Sequence, residues 1–149
     1  MDGRFDVSLE GTASAEDTVR GADIIVTGGP ITEDRAPTIQ PDWVSPGALL
    51  ITIDYDSYVT DACINAMDVI LTDDRGQIEN ARINEGKFLG VPRIDADNAE
   101  LVTQGKGKRA NDDQRILAFN LGIALEDVAT AAEIFRRAEE TSAGIVLDA

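Results

Sequence analysis

The chain has 149 residues, of which 43% are hydrophobic, enough to bury the core of one domain. It has no histidine and a single cysteine, Cys63, which excludes a His/Cys zinc site, a Ser-His-Asp triad and an internal disulfide within these residues. A formal net charge of -15 repels phosphate backbones, so no nucleic-acid partner is expected.

No run of 18 apolar residues exists, so no membrane-spanning segment is expected. The opening Met1 to Asp6 has no apolar signal core, and a cytoplasmic location is the expectation. Lysine occurs only at 87, 106 and 108, while acids are spread along the whole chain. That pattern fits a high-salt, halophilic cytoplasm as well as an ordinary acidic protein.

In chain order, Ser14-Ala15-Glu16-Asp17 reads as a helix start, with Ser14 the N-cap, and Gly21 ends that helix. Ala22 to Thr27 is a β-branched apolar run, read as a buried strand, and Gly28-Gly29-Pro30 is a turn. Pro41 to Val44 reads as a helical turn broken by Ser45-Pro46-Gly47, and Leu49 to Ile53 as a second buried strand. Thr60 caps a helix through Ala66, and Asp68 to Thr72 is a third strand. Residues 74–90 begin helical and loosen towards Gly86 and Gly90, and Asn98 to Gln104 forms another short helix. The stretch 105–109 is a basic loop, and Ile116 to Phe119 is a strand. From Gly122 to Glu140, apolar residues at 123, 125, 128, 131, 134, 135 and 138 mark one helix face. Gly144 stops that helix, and 145–147 reads as a last strand. Short apolar strands alternating with helices predict an α/β fold: a partial, Rossmann-like parallel sheet with flanking helices and a C-terminal helix–strand extension.

Ligands of such sheets bind at the carboxyl ends of the strands. The first end carries Thr27-Gly28-Gly29, where glycine lets backbone approach a flat or anionic ligand, although Gly-Gly-Pro is more often a plain turn. The second carries Asp54-Tyr55-Asp56-Ser57. Asp56 follows a strongly apolar strand, so it should sit at the rim of the core, where a carboxylate can act as acid or base. Alternatively Asp54 or Asp56 caps the next loop. Tyr55 and Tyr58 flank Asp56 and could wall a ring-shaped ligand, while Trp43 and Phe135 read as packing residues. Asp73-Asp74 reads as a helix cap, and Cys63 as a buried structural thiol. No Gly-x-Gly-x-x-Gly turn is present to grip a pyrophosphate.

Three stretches carry a family resemblance. Residues 14–27, then Pro46-Gly47-Ala48 with the strand and Asp54 to Tyr58, then Asn111 to Ile116 with Phe119 to Asp127, resemble in order the C-terminal part of the ornithine cyclodeaminase/μ-crystallin family. The resemblance implies an NAD(P)-dependent enzyme of amino acid metabolism, a cyclodeaminase (a lyase), imine reductase or amino acid dehydrogenase, or a member that only binds ligands. It implies a homodimer, or a complementing N-terminal half, because the glycine-rich turn and the substrate-gripping residues belong to a first half that this chain is expected to lack. Residues 1–110 would then be the second half of the NAD(P)-binding domain, and 111–149 a segment returning to the domain that pairs subunits and holds substrate. Asp56 matches the catalytic aspartate that exchanges protons with the substrate amine. Ile53, Asp54 and Tyr55 match backbone along the cofactor, and Gly29 stands where many members place a threonine touching it. Asn120, for a frequent serine, and Leu121 fall where nicotinamide and substrate are met. The family often has two glycines where this chain has Asp54 and Tyr55. A Pro-Gly is common just after the aspartate, and here Tyr58-Val59 stands instead, which leaves the substrate open. The alternative is a non-catalytic fragment or association module of the same family.

Overall fold

Five parallel strands make one sheet in the order β1-β2-β5-β3-β4 in the computed structural model, which describes residues 7–31 and 34–145. In chain order the elements are α1 (Ala15–Val19), β1 (Ile24–Thr27), β2 (Leu49–Thr52), α2 (Asp61–Asn65), β3 (Val69–Thr72), α3 (Arg75–Glu85), β4 (Ala96–Asp97), α4 (Asn98–Gln104), β5 (Ile116–Phe119) and α5 (Ala124–Thr141). The predicted partial Rossmann-like sheet with flanking helices is therefore the observed architecture. No helix among the described residues is long and apolar enough to cross a membrane.

The helix starts follow from hydrogen-bonding side chains placed where backbone amides lack partners. Ser14 accepts from the Asp17 amide, Thr60 from Cys63, and Asp74 from Gly76 and Gln77. Asp97 and Glu100 form a reciprocal capping box on α4.

Strand alternation divides the apolar residues between two faces. On one face Ile25, Leu50, Ile70, Leu117 and Phe119 are buried against Val19, Ile39, Val44, Ile64, Ile78 and Phe88. On the other, Val69, Leu71, Ala96, Ile116 and Ala118 form a smaller cluster with Leu101 of α4. That second face is uncovered towards β1, where Ile24 is 64% and Val26 59% exposed. The strand expected to be buried is thus an edge strand with one face open.

Other boundaries also shift. Ile53 lies beyond the end of β2 and is exposed, because the chain turns there. The two-residue strand β4 is too short to leave a period in the sequence. Helix α5 keeps its predicted apolar spacing but buries no residue, and Phe135, expected to pack, is exposed. The surface that its apolar face would cover is not supplied by the described residues. The strand expected at 145–147 falls, apart from Ile145, outside them.

Candidate functional site at the carboxyl ends of the strands

The register sets the strand ends level. Thr27 pairs with Thr52, Thr52 with Phe119, and Phe119 with Thr72. The chain therefore leaves the sheet at one height through Gly28, Ile53, Asn120 and Asp73, the place where parallel sheets present their loops to ligands.

Asp54 fastens two of these loops together. It is 1% exposed and accepts hydrogen bonds from Thr27 Oγ1 at 2.6 Å and from the Gly29 amide at 2.9 Å. Its side chain therefore ties the turn after β1 to the loop after β2, and the Gly29 amide is committed inside the protein. A Cβ on Gly29 would lie 2.5 Å from the Tyr58 ring, so Tyr58 occupies the room a side chain at 29 would need. The Tyr58 hydroxyl donates to the Pro30 carbonyl at 3.0 Å. Thr27, Gly28, Gly29, Asp54 and Tyr58 line one end of a cavity of about 450 Å³ that runs along β1.

Tyr55 has φ 63, a left-handed conformation that glycine adopts without cost and other residues do not. Its ring lies against Phe88, with centroids 5.4 Å apart, and Phe88 in turn meets Phe119 edge-on at 5.2 Å.

Asp56 is deeper than the rim position its sequence neighbours imply, at 1% exposure. Its two carboxylate oxygens are in different situations. Oδ2 accepts from the Phe88 amide at 2.9 Å and lies 3.3 Å from Arg35 Nε, whereas Oδ1 is buried with no hydrogen-bond partner. Buried polar atoms are nearly always satisfied, so each exception marks a place that a ligand or water would serve. Among the described residues the unsatisfied buried side-chain atoms are Thr52 Oγ1, Asp56 Oδ1, Ser57 Oγ, Asn120 Oδ1 and Arg82 Nε. Four of these five belong to the carboxyl ends of β2 and β5 and the loop after β2, which makes this end of the sheet the candidate site.

Asn120 and Leu121 follow β5 directly. The Asn120 amide donates to the Thr52 carbonyl at 2.9 Å, and Leu121 is partly buried against the main core. Asp73 accepts from the Gly122 amide at 2.6 Å and from Asp74, which holds the start of the last segment in place. Among the basic residues of the 105–109 loop, Lys106 pairs with Glu100 at 2.7 Å, and Arg109 donates to the carbonyls of Gly47 and Gln114. Burial pushes the Cys63 thiol up to about 11, which leaves it inert as a nucleophile.

Sequence reasoning missed Arg35. It lies in an irregular segment with no periodicity, and nothing in the residues around it announces a carboxylate partner twenty-one positions away.

A five-stranded parallel sheet of this order with flanking helices defines an α/β domain of Rossmann-like fold. The family model described as the ornithine cyclodeaminase/mu-crystallin family matches residues 1–142, and the chain belongs to that family. A "Nodulation efficiency protein NfeD" from Rhizobium meliloti is 33% identical over 134 residues, 89% of this chain and 41% of that protein. The N-((2S)-2-amino-2-carboxyethyl)-L-glutamate dehydrogenase of Staphylococcus aureus is 28% identical over 151 residues, covering 97% of this chain and 44% of its own. Among solved structures, an archaeal alanine dehydrogenase dimer with bound NAD superposes with a TM-score of 0.69 at 25% identity, covering 91% of this chain and 43% of that one. The chain thus spans about two fifths of the length of the relatives it matches.

Proposed function

We propose that this chain carries the substrate-side part of an NAD(P)-dependent site that oxidises amino acids or reduces imines, with Asp56 exchanging a proton with the substrate nitrogen. The observation that carries this reading is the Asp56 carboxylate, buried at the carboxyl ends of the strands with one oxygen held and the other unpaired. Loss of hydride from an amine-bearing carbon builds positive charge, which a nearby carboxylate stabilises, and a buried setting strengthens that effect.

The residues fit the nicotinamide end of a dinucleotide. Ile53 offers exposed apolar surface, Tyr55 turns its backbone at the loop, and Asn120 keeps an unsatisfied side-chain oxygen suited to an amide N–H. They do not supply the pyrophosphate end, because the Gly29 amide is taken by Asp54 and this sequence has no Gly-x-Gly-x-x-Gly turn. The bound nicotinamide would supply the hydride acceptor or donor. Thr27 and Gly28 would border it, and Leu121 would meet the substrate. The segment 111–149, with the apolar face of α5, would return to a substrate-holding and subunit-pairing domain, either in a homodimer or with a complementing N-terminal half.

The uncovered faces of β1 and α5 favour a second reading, a non-catalytic association module. NADH titration separates the parts of the proposal. The purified chain should bind weakly, with no saturation at micromolar NADH, while a chimera adding the unmatched segment of the alanine dehydrogenase should saturate. Saturable micromolar binding by the chain alone would contradict the proposed division of the cofactor site. A folded chimera that binds no NADH would favour the association module.

A further inference from the structure

Each nitrogen of the Arg35 guanidinium donates to one short segment, residues 56–61. Nε donates to the Asp56 carbonyl at 2.9 Å and lies 3.3 Å from Asp56 Oδ2. Nη1 pairs with Asp61 Oδ1 at 2.7 Å, and Nη2 donates to the Val59 carbonyl at 2.7 Å. Arginine's planar fork suits this job, because it can serve several acceptors at fixed angles, which an ammonium cannot.

The side chain is 23% exposed and its Asp56 partner 1%. A carboxylate this deep is costly unless it is paired and hydrogen-bonded. Arg35 supplies the opposite charge and the Phe88 amide supplies the hydrogen bond, both on Oδ2. Phe88 is itself fully buried and held between the Tyr55 and Phe119 rings, so its amide is a fixed donor. The result is a carboxylate that cannot rotate freely, with Oδ1 as the oxygen left over.

We propose that Arg35 is the positioning residue of Asp56: it pins Oδ2 beside the Phe88 amide and leaves Oδ1 as the oxygen without a protein partner, the one that would meet a donor from the substrate. What Oδ1 serves rests on the catalytic reading of Asp56, whereas the pinning itself does not. The competing role for Arg35 is that of a staple between loops, acting through Asp61 and Val59 alone.

The test uses the 1H–15N signal of the Phe88 amide in the full chain, with Asp56→Asn as the reference for an amide without its carboxylate. Arg35→Gln should move this signal towards its Asp56→Asn position, Arg35→Lys should restore much of it, and Asp61→Asn should leave it unmoved. A Phe88 signal unchanged in Arg35→Gln, or shifted as far by Asp61→Asn, would overturn the proposal. If Arg35→Gln does not fold, Arg35→Lys decides: a signal moved part of the way towards the Asp56→Asn position supports the pinning, and one unchanged from wild type refutes it. In a chimera that turns over, Arg35→Gln should lower kcat on the order of 10²-fold while the KM for NADH stays within about twofold. An unchanged kcat overturns the positioning role. Should Asp56→Asn leave turnover intact, the catalytic reading fails, and the Phe88 signal still decides whether Arg35 pins the carboxylate.

Discussion

The two faces of the sheet are built from equally apolar strands, yet they have different surroundings. On one face Ile25, Leu50, Ile70, Leu117 and Phe119 are buried beneath α1 to α3 and the loops between them. On the other, burial holds around Val69, Leu71 and Ala118 and is lost towards β1, where Ile24, Val26 and the following Ile53 are all more than half exposed. The difference lies in what is packed alongside, not in composition. Ile24-Ile25-Val26 is as apolar as Val69-Ile70-Leu71, but β3 is flanked by β5 and β4 whereas, among the described residues, β1 pairs only with β2. An apolar edge of this kind invites association.

The contrast between faces can be broken by substitution. Leu117→Ala removes a fully buried side chain from the central strand and should cost about 2–5 kcal/mol in urea unfolding. Val26→Thr, on the open face, should change stability by less than about 0.5 kcal/mol. Similar losses at both positions would mean that the open face is covered in solution.

Next in size is the staple at the strand ends. Asp54→Ala leaves Thr27 Oγ1 and the Gly29 amide without their acceptor and should cost about 1–3 kcal/mol. Hydrogen exchange at Gly29 should quicken at the same time. An unchanged exchange rate there would remove Asp54 as the tie between the two loops.

The smallest effect should lie far from the site. Hydrogen bonds from Lys106 and Arg75, with the Asp97 amide, hold the Glu100 carboxyl down to about 2 from its usual 4.5. Because the folded value is the lower one, this contribution is complete above about 4.5 and is lost as the pH falls through about 2. Lys106→Ala should therefore weaken the chain slightly at pH 5 and make no difference at the acid end of that window. A difference that persists unchanged there would assign the effect to packing.

Much of the fold is legible in the sequence because its signals are local. Ser14, Thr60 and Asp74 cap helices where hydroxyl and carboxylate residues precede helical runs, and four of the strands are short apolar segments bounded by turn residues. What depends on distant neighbours is not legible. The period of α5 gives its apolar face but not whether anything covers it, and β4 exists only because Ala96 and Asp97 pair with Leu71 and Thr72. At the site, Asp54 and Asp56 stand out after an apolar strand, but their division of labour does not. One fastens loops and the other keeps an unpaired oxygen, a distinction made by Thr27, Gly29, Phe88 and Arg35 from elsewhere in the chain.

The most direct test of the central claim is turnover by the NADH-binding chimera, comparing wild type with Asp56→Asn on amino acid and cyclic imine substrates. The proposed role predicts a loss of roughly 10²- to 10⁴-fold in kcat, with NADH binding retained. Equal turnover by the two proteins would contradict it, and would leave Asp56 as a buried structural carboxylate.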